Sequence, residues 1–278
     1  MKTSFPTRDL GNIKVRAISD GYLDVGFNML SNVDEKECER IQREAKINEL
    51  NAVHINTFLV SRNGKNFLID SGAGGVKGWG GKLVANLGSL GIQPQDIDAV
   101  LLTHAHPDHI GGLLNSEGEA VFSNADLIIS SNEFDYLEDD EVFSLVSDRI
   151  KGNFLLARSI FKKYQKKIRL IDQGEVFPGI FAIPLKGHTP GHTGYRIEGE
   201  KNSLFIWGDI VHFPHIQLRK PEVAIAFDYD PQIAAETRAR ILDVVSSDKI
   251  LVGGMHFGER GFGYIEKCES GYRIINND

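Results

Sequence analysis

The segment Thr103–Gly112 (Thr-His-Ala-His-Pro-Asp-His-Ile-Gly-Gly) places the strongest constraint on what this chain can fold into. His104 and His106 are two residues apart, so their side chains point the same way in an extended segment. The proline that follows keeps this pair extended. Asp108 and His109 diverge, as neighbours do where a helix begins. Two ligands therefore point one way and two point another, which predicts two metal ions side by side. With 9 histidines in 278 residues, a polar loop with incidental histidines is the weaker alternative.

Composition and charge describe an ordinary globular protein. Of the 278 residues, 41% are hydrophobic and 25% are charged, which is usual for a soluble protein. The formal net charge of −7 argues against a nucleic-acid partner, because phosphates are bound by a strong positive field. No internal repeat, low-complexity tract or linker interrupts the chain. We therefore predict a single domain over residues 1–278.

The cellular location is predicted from the N-terminus and the cysteines. Residues Met1–Asp9 contain no apolar run, so we expect no signal peptide. No stretch approaches the roughly 18 apolar residues of a membrane span. Cys38 and Cys268 lie at opposite ends of the chain and do not form a disulfide scaffold. These features predict a cytoplasmic protein with no membrane partner.

An apolar strand runs into a glycine-rich turn that carries histidine or aspartate at five places. These turns hold Asp70, His104, His188, Asp209 and His256. Polar groups at strand ends form sites at one edge of the sheet in α/β enzymes. Together with the first segment, the turns offer imidazoles and carboxylates that suit Zn²⁺, Mn²⁺, Co²⁺ or Fe²⁺.

Hydrophobic periodicity predicts an α/β protein. Ile13–Ser19 alternates like a half-buried strand, and Asp20–Gly21 predicts a turn from which Tyr22–Val25 pairs back as a hairpin. Glu133–Lys167 has a helical pattern and lies between strands, so we expect an inserted helical segment. Its apolar face suits either the core or a subunit interface, which leaves a homodimer open. Pro231–Ser247 is predicted as an amphipathic helix.

The glycine-rich stretch Ser71–Gly81 has neither the Gly-Lys-Ser/Thr of a phosphate loop nor dinucleotide-binding spacing. We predict a loop here. Trp79 either lies at the mouth of a pocket or packs in the interior.

Three motifs together resemble the metallo-β-lactamase superfamily. They are the H-x-H-x-D-H motif within Thr103–Gly112, the sequence Gly187–His192 (Gly-His-Thr-Pro-Gly-His), and Gly208–Asp209. They occur in the order of that family, and the resemblance runs from about Ile13 to the C-terminus. It implies an α/β fold, a four-layer αβ/βα sandwich, with a dinuclear metal site at one edge.

The resemblance also implies a ligand set. One metal ion would be held by His104, His106 and His188, and the second by Asp108, His109 and His256, with Asp209 bridging both.

Two other polar residues support this set. His192 is expected to lie behind the ligands, and Asp70 to hold the ligand loop.

Within the superfamily, Gly208–His212 and Met255–Gly258 resemble the methyl parathion hydrolase-like branch, which includes quorum-quenching lactonase relatives. Acyl-homoserine lactonases commonly carry a tyrosine three residues after the bridging aspartate, and here that residue is His212. We predict that His212 donates a hydrogen bond to substrate, with a structural loop histidine as the alternative. Asp108 is expected to orient the nucleophile or protonate the leaving group. His54 and His215 are predicted to be structural.

The resemblance implies a metal-dependent hydrolase of small-molecule substrates. A hydroxide bridging two divalent cations, Zn²⁺ before Mn²⁺, Co²⁺ or Fe²⁺, would attack an ester, a lactone or a phosphotriester. One alternative is a nuclease of the same fold, against which the net charge of −7 weighs. Another is a metal-binding sensor without catalysis, which the complete ligand set disfavours.

Overall fold

The computed structural model describes residues 5–275, so Met1–Ser4 of the segment inspected for a signal peptide lie outside the described residues. The strands are β1 (Thr7–Asp9), β2 (Lys14–Asp24), β3 (Leu30–Ser31), β4 (Ala52–Arg62), β5 (Lys65–Ile69), β6 (Ala99–Leu101), β7 (Asp126–Ser130), β8 (Ile168–Ile171), β9 (Gly174–Phe177), β10 (Ile180–Pro184), β11 (Thr193–Glu198), β12 (Ser203–Ile206), β13 (Ala224–Ile225), β14 (Leu251–Gly253), β15 (Phe262–Cys268) and β16 (Gly271–Ile275). The α-helices are α1 (Glu35–Glu44), α2 (Leu83–Ser89), α3 (Pro107–Ile110), α4 (Ser131–Glu138), α5 (Asp140–Leu145), α6 (Asp148–Tyr164), α7 (Pro214–Gln217) and α8 (Pro231–Ser247). Within residues 5–275, no helix has both the length and the apolar composition to cross a bilayer.

Two sheets dominate the described part of the chain. The first has the strand order β1-β2-β4-β5-β6-β7-β8, and the second has the order β16-β15-β14-β12-β11-β10-β9. Strands β5 to β8 run parallel to one another, as β12 does to β14. Parallel neighbours need crossover connections. Helices α2, α3 and α4–α6 make the crossovers of the first sheet, and α8 lies on the crossover of the second.

The core between the sheets follows from alternation along the strands. In β6, Ala99 and Leu101 belong to the apolar cluster that also contains Ile206 and Phe262 of the second sheet. Val100, between them, points to the opposite face and belongs to a different cluster. Successive side chains of a strand alternate between its faces, so both faces of this sheet are buried.

Helices cover the two outer faces. Phe154 and Ile160 of α6 pack in the cluster on the outer face of the first sheet. Leu242 and Val245 of α8 do so on the second. The order helix, sheet, sheet, helix confirms the predicted αβ/βα sandwich, and α4–α6 are the predicted helical insertion. Helix α8 has the predicted bounds, and Asp230 caps it by accepting from the Ile233 N–H at 3.0 Å, a contact worth about 1 kcal/mol.

The hairpin predicted at Asp20–Gly21 is wrong, because β2 continues through these residues as one strand of 11 residues. A register shift against β4 marks a bulge, and Gly21 has a φ of 124°. The Asp20 side chain is buried. It accepts hydrogen bonds from four backbone N–H groups, those of Ala73, Gly74, Gly81 and Leu83. A turn-forming pair in the sequence thus anchors both ends of the glycine-rich loop.

The strand ends that carry the predicted ligands meet at one edge of the sandwich. Asp70 follows β5 and His104 follows β6, two parallel neighbours. Asp209 follows β12 and His256 follows β14, which are also parallel. The carboxyl ends of parallel strands open on the same side of a sheet. The fold therefore brings residues from distant parts of the sequence into one place.

Candidate metal centre

The seven predicted ligands lie in two adjacent groups at this edge. Group one consists of His104, His106 and His188, and group two of Asp108, His109, Asp209 and His256. Within each group, one ligand atom per residue lies within 4.8 Å of the others. His188 of group one lies 82 positions after His106, and Asp209 of group two lies 100 positions after His109. The structure thus assembles the residues that the sequence motifs marked.

Group one is a convergence of three ring nitrogens. His106 Nδ1 lies 3.0 Å from His104 Nε2 and 2.9 Å from His188 Nε2. Burial lowers the pKa of both His104 and His106 well below the usual value, so these rings are neutral near pH 7.

Group two is centred on a buried carboxylate. Asp209 Oδ2 lies 3.1 Å from His109 Nε2 and 3.2 Å from His256 Nε2. The same oxygen is 3.8 Å from His104 and 3.6 Å from His188 of group one. Burial alone would raise the pKa of Asp209, but the adjacent histidines lower it well below the usual value. Asp209 is therefore an anion placed between the two groups.

The tautomers of these histidines fit bound cations. His188 Nδ1 lies within hydrogen-bond distance of the Asp228 carboxylate, and His109 Nδ1 of the Asp70 carboxylate. His256 Nδ1 lies within hydrogen-bond distance of the backbone oxygen of His54. These partners accept, so each Nδ1 donates, and Nε2 is the ring nitrogen that faces the other ligands. Asp209 Oδ1 is buried and has no hydrogen-bond partner among residues 5–275. Buried imidazole nitrogens and carboxylate oxygens that face one another in this way match the ligands of divalent ions such as Zn²⁺.

Group one is braced from behind by Glu133. One carboxylate oxygen accepts from the Ala105 N–H at 3.0 Å. The other accepts from the Thr189 hydroxyl at 2.6 Å and the Gly191 N–H at 3.0 Å. Glu133 thus ties the loop of His104 to the loop that follows His188. Sequence reasoning missed this residue, because a glutamate in the first turn of a helix is ordinary.

Asp228 is a second support that the sequence did not reveal. Its Oδ1 accepts from His188 Nδ1 at 2.8 Å, and its side chain is fully buried. Burial favours the neutral acid, yet the hydrogen bond from His188, together with the neighbouring His212 and the backbone N–H of Ile225, brings the pKa of Asp228 below its ordinary value.

Group two is braced by Asp70, as expected. Its Oδ2 accepts from His109 Nδ1 and from the Thr103 hydroxyl, each at 2.7 Å, and its Oδ1 accepts from the Thr103 N–H at 2.8 Å. Asp70 has a φ of 58°, a conformation that costs a non-glycine residue free energy and is kept where contacts fix it. His256 Nδ1 donates to the backbone oxygen of His54 at 2.7 Å.

His192 lies outside both groups. Its Nε2 accepts from the Asp209 N–H at 2.9 Å, and its Nδ1 donates to the backbone oxygen of Leu185 at 3.0 Å. His192 therefore positions the backbone of Asp209, as expected of a residue behind the ligands.

His212 lies beside both groups. Its ring stacks on His256 with centroids 5.3 Å apart and is tilted against His188 at 4.8 Å. Its Nε2 is 3.1 Å from Asp209 Oδ2. Burial lowers its pKa, so the ring is neutral near pH 7. With His188 and Asp209 it makes a third set of close ligand atoms, which gives His212 two possible uses: metal ligand or hydrogen-bond donor.

A cavity of about 630 Å³ opens over the two groups. Its apolar walls come from β2 and the segment after it, the glycine-rich loop, the helical insertion and the loop before α8. These apolar residues include Leu23, Val25, Met29, Trp79, Tyr136, Val146, Phe154 and Phe227. Trp79 therefore lies at the cavity, one of the two places predicted for it. Asp108, His212 and Asp209 line the floor.

Comparison with known proteins gives one family. Residues 50–254 match the model of the metallo-beta-lactamase superfamily. An N-acyl homoserine lactonase of Bacillus cereus is 28% identical over 171 residues, which are 62% of this chain and 60% of the lactonase. The match thus spans less than two thirds of that relative.

Two solved structures superpose over nearly the whole chain. Hydrolase AbOPH of the beta lactamase superfamily is 28% identical with a TM-score of 0.91, covering 99% of this chain and 97% of that one. AidC, a dizinc quorum-quenching lactonase in complex with the product N-hexanoyl-L-homoserine, is 25% identical with a TM-score of 0.91, covering 100% and 98%.

Proposed function

The chain belongs to the metallo-β-lactamase superfamily, and from this premise we propose that it is a dinuclear metal-dependent hydrolase of small lactones. The proposal is carried by one observation: Asp209 lies between two groups of histidines on the floor of an apolar cavity. The names of two relatives support a lactone, since both are lactonases. Esters and phosphotriesters are the further substrates that the same chemistry would accept.

The cavity fits a substrate with an apolar chain. At about 630 Å³ it has the size of a small-molecule site, and its walls are mostly apolar. AidC holds N-hexanoyl-L-homoserine, which joins an acyl chain to a polar head. We propose N-acyl homoserine lactones as the first class to test, with the acyl chain against Trp79 and Phe227 and the ring over the two groups.

The two groups would hold one divalent cation each, and Asp209 would face both. We propose Zn²⁺, because AidC is a dizinc enzyme and five imidazoles with two carboxylates suit that ion. Bound divalent cations supply a water of lowered pKa and polarise the carbonyl oxygen that is attacked.

The remaining steps belong to side chains on the cavity floor. Asp108 lies 3.4 Å from His109 Nε2 and lines the cavity, so its carboxylate can orient the attacking water. The same carboxylate can carry the proton to the leaving alkoxide oxygen when the ring opens. His212, as a neutral ring, can donate one N–H to a substrate oxygen. The apolar walls keep other water away from the reacting carbonyl.

A substrate panel tests the proposal. Protein reconstituted with Zn²⁺ is assayed against N-acyl homoserine lactones of different chain length, p-nitrophenyl esters and a phosphotriester. We expect lactone opening that disappears on chelation and returns with Zn²⁺. Metal-bound protein that turns over none of these substrates would overturn the proposal.

Three earlier expectations stay predictions. A cytoplasmic location is one of them. A homodimer through the helical insertion is another, and Leu145 and Leu155 there are 80% and 58% exposed. Single-domain organisation over residues 1–278 is the third. The nuclease and sensor alternatives are not favoured.

A further inference from the structure

A buried chain of polar contacts runs outward from group one through Asp228 to Arg238. We infer that Asp228 is a positioning residue that fixes the ring of His188 for metal binding, and that Arg238 holds Asp228 in place. The inference rests on the proposed metal centre. It concerns residues that neither the sequence motifs nor the family resemblance marked.

The contact with His188 determines which ring nitrogen faces the metal centre. Asp228 Oδ1 accepts from His188 Nδ1 at 2.8 Å. A neutral imidazole carries one N–H. When Nδ1 holds that proton, Nε2 keeps a free lone pair that can bind a metal ion. Nε2 lies 2.9 Å from His106 Nδ1 and 3.6 Å from Asp209 Oδ2. Carboxylates in this position orient ligand histidines and make them more basic.

Asp228 is itself held from two sides. Its Oδ2 accepts from the Ile225 N–H at 3.0 Å and lies 4.0 Å from Arg238 Nη2. The side chains of Asp228 and Arg238 are both fully buried. A buried carboxylate is costly unless charge and hydrogen bonds compensate it, and here Arg238 supplies the charge.

Arg238 also forms hydrogen bonds with the loop that follows Asp209. Its Nε donates to the backbone oxygen of Ile210, the next residue after Asp209. Its Nη1 donates to the backbone oxygens of Pro221 and Val223 at 2.7 and 2.8 Å. One guanidinium on α8 therefore joins the segment that orients His188 to the segment that carries Asp209. Arg238 thus contacts both the carboxylate that orients His188 and the residue that follows Asp209.

Zinc binding by the metal-free protein tests the inference without any substrate. The metal-free wild type, Asp228→Ala, Asp228→Asn, Arg238→Lys and Asp230→Ala are titrated with Zn²⁺ against a chromophoric chelator. Co²⁺ absorption spectra are recorded in parallel. Asp230 is the matched control, because it lies in the same loop and caps α8 without touching a ligand. Circular dichroism of each metal-free variant checks folding.

We expect Asp228→Ala to weaken one of two Zn²⁺ equivalents by about 10–100-fold, with the other unchanged. Asp228→Asn keeps an acceptor oxygen without the charge, so it should recover part of the loss and shift the Co²⁺ spectrum. Arg238→Lys should weaken the same equivalent by less, and Asp230→Ala should match wild type. If Asp228→Ala does not fold, the Zn²⁺ affinity and the Co²⁺ spectrum of Asp228→Asn are measured in its place.

Unchanged Zn²⁺ affinities in a folded Asp228 variant would overturn the inference, as would equal losses in the Asp230 control. A wild type that binds two Zn²⁺ ions but hydrolyses none of the lactones, esters or phosphotriester of the panel would refute the proposed function and leave this inference standing.

Discussion

Groups one and two lie side by side, yet they place their negative charge differently. Group one has imidazoles alone facing inward, and its carboxylates, Glu133 and Asp228, stand behind the ligands. Group two has carboxylates among its ligand atoms, with Asp70 as a further carboxylate behind them. Both groups have carboxylates close by, but only group two counts carboxylates among its own ligand atoms.

This difference changes the protonation of the histidines. In group one, burial lowers the pKa of His104 and His106 well below the usual value. In group two, burial alone would lower the pKa of His109 and His256, but the charges of Asp209 and Asp108 raise both. The metal-free group two is thus an ion-paired network, while His104 and His106 of group one are neutral rings.

The largest effect is expected where the two groups meet. Asp209→Ala removes the carboxylate that faces both, so we expect weaker binding of both Zn²⁺ ions. The loss of several kcal/mol of transition-state stabilisation corresponds to a fall in kcat/KM of about 10³-fold or more. Zn²⁺ titration and lactone kinetics measure the two effects, with exposed Asp172→Ala as control. Retention of either ion at wild-type affinity would mean that Asp209 does not serve both groups.

Substitution of His212 tests whether the metal ligands are limited to the residues of the two groups. If it only donates a hydrogen bond to substrate, His212→Phe should lower kcat by about 10²-fold and leave both Zn²⁺ affinities unchanged. Kinetics and metal titration on the same sample separate these readouts. Loss of a Zn²⁺ equivalent would instead make His212 a ligand, in the third set that it forms with His188 and Asp209.

The carboxylates behind the ligands should act on one group each. Asp70→Asn is expected to weaken the Zn²⁺ ion of group two by about 10–100-fold, and Glu133→Gln that of group one by a similar factor. Co²⁺ spectra can tell the sites apart, since three imidazoles and a carboxylate-rich set absorb differently. Equal weakening of both ions by either variant would contradict separate supports.

The smallest expected effect is on how the stability of the protein depends on pH. It concerns His54, whose backbone oxygen accepts a hydrogen bond from His256. Burial lowers the pKa of His54 to about 4, against about 6.5 when unfolded. Between these values the unfolded chain binds more protons, so stability falls as pH falls from about 6.5 and levels off near 4.

In the metal-free protein, His54→Asn should remove about 1 kcal/mol of the stability lost between pH 7.5 and 5.5. Urea unfolding at the two pH values measures this difference. An unchanged pH dependence in the variant would show that His54 is not held neutral by burial.

Much of the fold could be predicted because local patterns carry it. Helix α8 begins and ends where its periodicity indicated. The ligand residues could also be predicted from the sequence. Metal sites need histidine and aspartate at strand ends, and such residues are easily recognised in glycine-rich turns that follow apolar strands.

The supporting residues could not be found in this way, because their partners are distant in sequence. Asp20 bonds to the N–H of Leu83, 63 positions away, and Glu133 to that of Gly191, 58 positions away. Asp228 lies just before a helix, where aspartates are common caps. Only the folded chain distinguishes a buried carboxylate that supports a ligand from one that caps a helix or forms a turn.

Stepwise addition of Zn²⁺ to the metal-free protein tests the central claim, that the centre holds two ions and needs both for hydrolysis, most directly. Bound metal is followed by calorimetry, and N-hexanoyl-homoserine lactone hydrolysis is assayed at each step. The account predicts two equivalents, with hydrolysis rising until the second is bound and then staying constant. Saturation at one equivalent, or full hydrolysis by metal-free protein, would contradict it.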